Sequence, residues 1–239
     1  MRRQLFVTCL AGFGAAGCDR GPAADEYFPL ADGHRWVYRV STQRAQASVE
    51  REFLTVWSLG LERMATSSGE PQDAGHRRST SGEDYWLRAD ASGVYRVGSK
   101  MLLDDAPRPD AAPRYVLKTP YTVGTQWSST TPAYLLTRKF DFPHEVRYGY
   151  PPVNMAYTIE RTGETVDVPA GHYERCLKVR GSATVKVFSD PANGGLDIPL
   201  TTLEWYCPNV GLVRLEREEK LQNFFITGGS RTLELLSYR

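Results

Sequence analysis

The sequence predicts an all-β protein: a single curled antiparallel sheet, either an open half-barrel or a barrel-like closure. Three observations lead there. Aromatic residues are frequent, with 13 Tyr, 9 Phe and 5 Trp in 239 residues, and together with abundant Val and Thr they favour strands. Apolar and polar residues alternate over stretch after stretch, the pattern of strands with one wet face. From Tyr27 onward no amphipathic run of helical period exceeds about two turns. Proline-rich segments interrupt continuous pairing, which favours the incompletely closed form.

Each element has its own warrant. Trp36, Tyr38 and Val40 share one face of a first strand. Residues 84–98, DYWLRADASGVYRVG, read as a strand, an Asp-Ala-Ser-Gly turn and a returning strand. From Tyr173 to Val187 the odd positions are mostly apolar, among them Leu177, Val179, Val185 and Val187. The even positions, including Glu174, Lys178, Arg180 and Lys186, are polar. Residues 211–238 predict a final hairpin turning at Gly228-Gly229-Ser230, with Glu216-Arg217-Glu218-Glu219-Lys220 as the wet side of a strand. Three segments break the pattern. TSSGEPQDAGHRRSTSG at 66–82 predicts a mobile loop. DDAPRPDAAPR at 104–114 carries prolines that should leave the sheet. DFPHEVRYGYPPVN at 141–154 predicts an ordered loop or lid.

Pro-x-x-x-Gly-x-x-Trp occurs twice, as PLADGHRW at 29–36 and PYTVGTQW at 120–127. Proline fixes φ outside a sheet, glycine permits a positive φ, and tryptophan opens a strand with a large ring for the core edge. Nothing in the motif is a nucleophile, base or metal ligand, so it predicts a strand-entry device. Residues 27–118 and 119–239 share little else. Pro208-Asn209-Val210-Gly211 sets a related pattern before a later strand.

The first eighteen residues, MRRQLFVTCLAGFGAAGC, hold Arg2-Arg3, an apolar stretch from Leu5 to Ala16, and small residues before Cys18. The stretch suits a signal h-region and is too short to span a bilayer. The pattern resembles the lipobox of bacterial lipoproteins, departing from it at Ala15, where Leu is most common. The resemblance implies acylation of Cys18, which becomes the first mature residue. It divides the chain into a signal peptide at 1–17, a tether at 18–26 and one β domain at 27–239. An ordinary secretory peptide cleaved nearby is the competing reading. Lys+Arg number 29 and Asp+Glu 28, and this balance gives no electrostatic case for nucleic acid.

Tyr27-Phe28-Pro29-Leu30 with Gly33, Trp36 and Tyr38, then Val168-Pro169-Ala170-Gly171 with Tyr173 and Cys176, then Gly211-Leu212-Val213, resemble motifs of uncharacterised bacterial envelope proteins. These are secreted or lipid-anchored β-proteins. The resemblance implies fold and an envelope location, on the periplasmic side of the inner or outer membrane. It implies no catalytic residue.

Beyond the signal and Cys18 stand two cysteines, Cys176 and Cys207, an even number in an oxidising compartment. Against a bond, Cys176 falls on the polar phase of its strand and Cys207 on the apolar phase of its own. A bulge, or fraying at Pro208, would reconcile them. His172 with Cys176 and Cys207 lacks a fourth zinc ligand, and His144-Glu145 lacks the second His of a zincin. Asp104-Asp105 stands before proline-rich sequence and marks a turn. No phosphate loop, nucleophile elbow or dinucleotide fingerprint is present. The sequence therefore predicts no metal, no cofactor and no catalytic residue. Its partners are a membrane, through the lipid anchor, and an apolar ligand or another envelope protein. Trp36, Trp86, Trp127 and Trp205 exceed what strand entry needs and are the candidate ligand-binding aromatics. An enzyme would instead require a cleft where His144 or His172 meets a carboxylate.

Overall fold

The structure, a computed structural model, describes residues 26–44, 47–67, 69–139, 152–190, 194–222 and 226–239. The signal sequence, Cys18, His144-Glu145 and most of the 141–154 segment lie outside the described residues. All strands belong to one antiparallel sheet. They are β1 Arg35–Arg44, β2 Glu50–Ala65, β3 Pro71–Ser79, β4 Asp84–Asp90, β5 Gly93–Lys100, β6 Arg108–Lys118, β7 Gln126–Thr131, β8 Thr137–Arg138, β9 Val153–Val168, β10 Gly171–Asp190, β11 Gly194–Cys207, β12 Gly211–Gln222 and β13 Ile226–Tyr238. Twelve of them run β6-β5-β4-β3-β2-β1-β13-β12-β11-β10-β9-β7, while short β8 pairs with β13. The sheet curls until β6 approaches β7 and is nearly closed into a barrel with one unsealed seam. Across that seam the Arg114 guanidinium of β6 donates to the Thr130 carbonyl of β7.

The alternation is realised where the buried face is apolar. Trp36, Tyr38 and Val40 are buried along β1, as are Leu177, Val179, Val185 and Val187 along β10. The strand-entry device works in the same way at each of its sites. Gly33, Gly124 and Gly211 take φ of 84°, 92° and 90°, the left-handed region that glycine enters at least cost. Trp36 and Trp127 are then the second residues of β1 and β7, both buried.

Four expectations are corrected. Residues 71–79 are not loop but β3, paired with β2 and β4. Its buried residues Ala74, Gly75 and His76 are small or polar, so no apolar stripe advertised it. Prolines 109 and 113 do not leave the sheet but sit in β6, an edge strand. Pairing jumps there from Arg96↔Arg114 to Gly98↔Pro109, a bulge that frees the intervening residues from the ladder. The last hairpin does not turn at Gly228-Gly229-Ser230, because β12 and β13 stay paired past them, to Gln222↔Thr227. Gly228 and Gly229 are interior to β13, where a Cβ on Gly228 would fall 1.7 Å from the Glu219 carbonyl oxygen. Finally, Arg217 and Glu219 are not wet. They are 3 % and 0 % exposed, and they pair across β11 with Thr202 and Leu200 on the buried face.

Two irregular segments cross the concave side. Residues 26–34 run from the β11–β12 turn to β2 and β3. Asn209 N–H donates to the Glu26 carbonyl at one end and Gly33 N–H to the Ser58 carbonyl at the other, with Phe28 buried between. Residues 132–136 run from the edge strand β7 to β8 on β13, passing over β12, and Leu135 is fully buried.

Candidate functional site

Beside Phe28 of the first segment the barrel holds a cavity of about 330 Å³, at the lower end of the range for small-molecule sites. Its apolar wall comes from Leu54 and Val56 of β2, Leu87 of β4, Val116 of β6, Leu212 of β12 and Leu233 of β13. Phe28, Tyr38, Tyr85 and Tyr115 supply the aromatic surface. Inward-pointing residues of many strands thus converge because the curl brings distant strands face to face. Arg114 and Ser129, on the two seam strands, also line it.

Four arginines and one glutamate, Glu83, line this space. Two of the arginines are already neutralised. Arg78 donates Nε and Nη2 to Asp84 at 2.8 and 3.2 Å. Arg96 donates to Asp110, in the β6 bulge, at 2.7 and 2.6 Å. Arg77 differs. Its Cζ lies 3.8 Å from the Phe28 ring centre and 4.3 Å from that of Trp36, and Nη2 donates to the Pro29 carbonyl. Its Nε is buried with no partner, and among the described residues no carboxylate forms an ion pair with it. Burial lowers its pKa to about 10, still far above neutrality. Burial also lowers Arg114, with Arg96 adding to the effect. Burial raises the Tyr38 and Tyr85 phenols, and Tyr38 donates to the Leu212 carbonyl at 2.9 Å.

The tryptophans expected to bind ligand do not line the cavity. Trp36 is core, with Nε1 donating to the Val210 carbonyl at 2.7 Å. Trp86 stacks on His76 at 4.5 Å and donates to Glu62. Trp127 stacks on Tyr157 at 5.5 Å. Trp205 is flanked by the cations of Lys178 and Arg214. Sequence reasoning missed Arg77 because it stands in the stretch read as loop. It missed Phe28 as a wall residue because the Tyr-Phe-Pro-Leu motif carries only a family resemblance, with no signal for what its ring faces.

The remaining candidates are placed as follows. Cys176 and Cys207 are joined by a disulfide. His172 Nδ1 meets Asp167 at 2.7 Å on the exposed surface, and that hydrogen bond raises its pKa. His76 lies between Glu62 and Asp84, at 2.8 and 3.3 Å. His34 stacks on Tyr238. Among the described residues no hydrogen bond joins a serine, threonine or cysteine to any of these histidines, and no group of three or more His, Cys, Asp or Glu side chains is placed to hold a metal. Asp104 caps its turn by accepting from Met101 N–H.

A second polar cluster lies on the inner face of β11, where Tyr206 donates to Glu204 at 2.6 Å. Burial raises the Glu204 pKa above the ordinary 4.5, opposed by the Tyr206 and Thr202 hydrogen bonds and the Arg217 charge. A raised carboxyl stabilises fully below 4.5, and that contribution is lost as pH climbs through the folded-state value. Glu204→Gln is therefore expected to match the wild type in acid and to exceed it in stability at neutral pH. Urea midpoints measured at both pH values check this. An advantage confined to acid would reverse the sign of the argument.

No family model matches the chain, and no curated protein matches it. Similar solved structures include a "putative lipoprotein" from Parabacteroides distasonis, 17 % identical over 89 % of this chain and 98 % of that one, with a TM-score of 0.38. Another is a "putative exported protein with YmcC-like fold" from Bacteroides fragilis, 15 % identical over the same shares, with a TM-score of 0.39. At these identities and scores the likenesses carry no argument about function.

Proposed function

We propose that this chain is a noncatalytic lipoprotein of the bacterial envelope, anchored through acylated Cys18, that binds an apolar ligand inside its incompletely closed barrel. The observation that carries the binding role is the cavity of about 330 Å³ walled by Tyr38, Leu54, Leu87, Val116 and Leu233. Barrels larger than about eight strands enclose ligand cavities or channels where small ones fill with side chains. The anchor rests on the lipobox-like sequence before Cys18, since several acyl chains hold a protein to a bilayer.

Native mass spectrometry of the full chain purified from bacterial envelopes tests both parts. Expected are the added mass of acyl groups on Cys18 and a co-purifying apolar molecule. Protein that arrives empty and does not enhance the fluorescence of N-phenylnaphthylamine overturns the binding role. An unmodified Cys18 overturns the anchor alone.

One observation favours the alternative, an assembly role with another envelope protein. Leu102 and Leu103, in the β5–β6 loop, are 77 % and 94 % exposed, an apolar tip of the kind that meets partners. Photo-crosslinking from position 103 in living cells would then return one discrete partner band, and its absence would exclude that tip.

A further inference from the structure

Resting on the ligand-binding reading, we infer that the cavity takes an amphiphile with a single acyl chain and an anionic head, and that Arg77 holds the head. A buried guanidinium is costly unless paired and hydrogen-bonded. Of the cavity arginines, Arg114 also lacks a carboxylate, but it stands half-buried at the seam and donates to the Thr130 carbonyl; the other neighbouring cases obey the rule. Arg78 has Asp84, Arg96 has Asp110, and the buried Arg217 has Glu219 at 2.7 Å. Arg77 alone among these four has aromatic rings and one carbonyl where the others have a carboxylate. Its Nε is buried and unpartnered, and its side chain lines the cavity. An anionic group on what fills the cavity would supply the counter-ion that Arg77 lacks.

The wall chemistry defines the rest of the ligand. Leu54, Val56, Leu87, Val116, Leu212 and Leu233 offer nothing that could bond a polar tail. A volume of about 330 Å³ accommodates one short chain and not a diacyl lipid. The head is a carboxylate or a phosphate, since a guanidinium fork matches either with paired N–H donors. Glu83, the one acidic side chain on the wall, would disfavour a ligand carrying negative charge at both ends.

Titration calorimetry of the full chain with dodecanoate, dodecyl phosphate and dodecanol tests the inference. At least one anion should bind about tenfold or more tighter than the alcohol, the yield of a charge-assisted bond to a desolvated donor. In Arg77→Leu that preference should collapse while dodecanol binding persists. Arg180→Gln, which removes a paired cation on the outer surface away from the cavity, should leave it intact. Arg77→Leu should also unfold no earlier than the wild type, because it removes a part-buried cation that no carboxylate pairs. Equal affinity for alcohol and anions overturns the anionic head and leaves the apolar-ligand reading standing. Failure to bind any of the three overturns both. An undiminished preference in Arg77→Leu removes Arg77 from the role. If that variant does not fold, Arg77→Lys and Arg77→Met serve: a preference kept in Arg77→Lys and lost in Arg77→Met supports a charge-based role, and one unaltered in Arg77→Met overturns it.

Discussion

Glu219→Ala is expected to lower the stability of the domain by about 3–5 kcal/mol, the penalty for removing one partner of a buried ion pair. Glu219 is fully buried on β12. Its carboxylate accepts from the backbone N–H groups of Tyr134, Leu135 and Leu136 at 3.2, 2.9 and 3.2 Å. It also accepts from Arg217 Nε at 2.8 Å. Arg217 in turn donates to the Thr131 hydroxyl and the Pro132 carbonyl. The pair thus fastens residues 131–136 across the concave side. Alanine would orphan a guanidinium and three N–H donors at once, and each orphaned donor carries its own desolvation cost. Glu219→Gln keeps one acceptor oxygen and should lose less. Arg217→Leu combined with Glu219→Leu should recover only the part due to the unpaired guanidinium, because the three N–H groups still lack an acceptor. Urea unfolding gives the midpoints, and hydrogen exchange of the Leu135 and Leu136 amides reports the segment directly. A loss below about 1 kcal/mol in Glu219→Ala would mean that the segment is held by its apolar contacts instead.

The same pair shows where sequence reading reaches its limit. Alternation announces a strand only when the buried side is apolar. Trp36, Tyr38 and Val40 did so, and so did the Leu177-to-Val187 run. Glu216 to Lys220 alternates too, but between charged residues facing out and charged residues facing in. A periodicity of charge within charge is invisible to a hydrophobicity pattern. Arg77 was hidden for a related reason: β3 buries Ala74, Gly75 and His76, none of which marks a core. The cavity is a property of closure. Leu54 and Leu233 flank β1, beside Tyr38 and Val40 respectively, whereas Val116 reaches the same wall only because the sheet curls toward β7. Local sequence encodes the strands and their turns. It does not encode how far the sheet wraps or which cation is left without a counter-ion inside.

Cys176→Ala combined with Cys207→Ala is expected to cost about 2–5 kcal/mol, with about 3–4 of that from releasing a loop of this size in the unfolded chain. The bond joins residues 31 apart in sequence. The phase conflict between the two cysteines is resolved by the backbone of β10. Its pairing with β9 slips on either side of Cys176, and Arg175 takes a φ of 58°, rare for a residue with a Cβ. This bulge turns Cys176 to the buried side next to Leu177, so that both cysteines are buried, at 0 % and 1 % exposed. There the bridge packs with Trp36, Val166, Val213 and Leu235. It ties β10 to the end of β11, whose following turn receives the Trp36 indole and the backbone of residue 26. Loosening this corner should therefore also loosen the segment that closes the cavity beside Phe28. In denaturant, reduced wild type and the double alanine variant should unfold within about 1 kcal/mol of each other, both well below the oxidised protein. Because neither sulfur meets solvent, reductant should act on the native protein only as fast as the corner opens. Coincident midpoints for oxidised wild type and double variant would show that the bulge, not the bond, holds the corner.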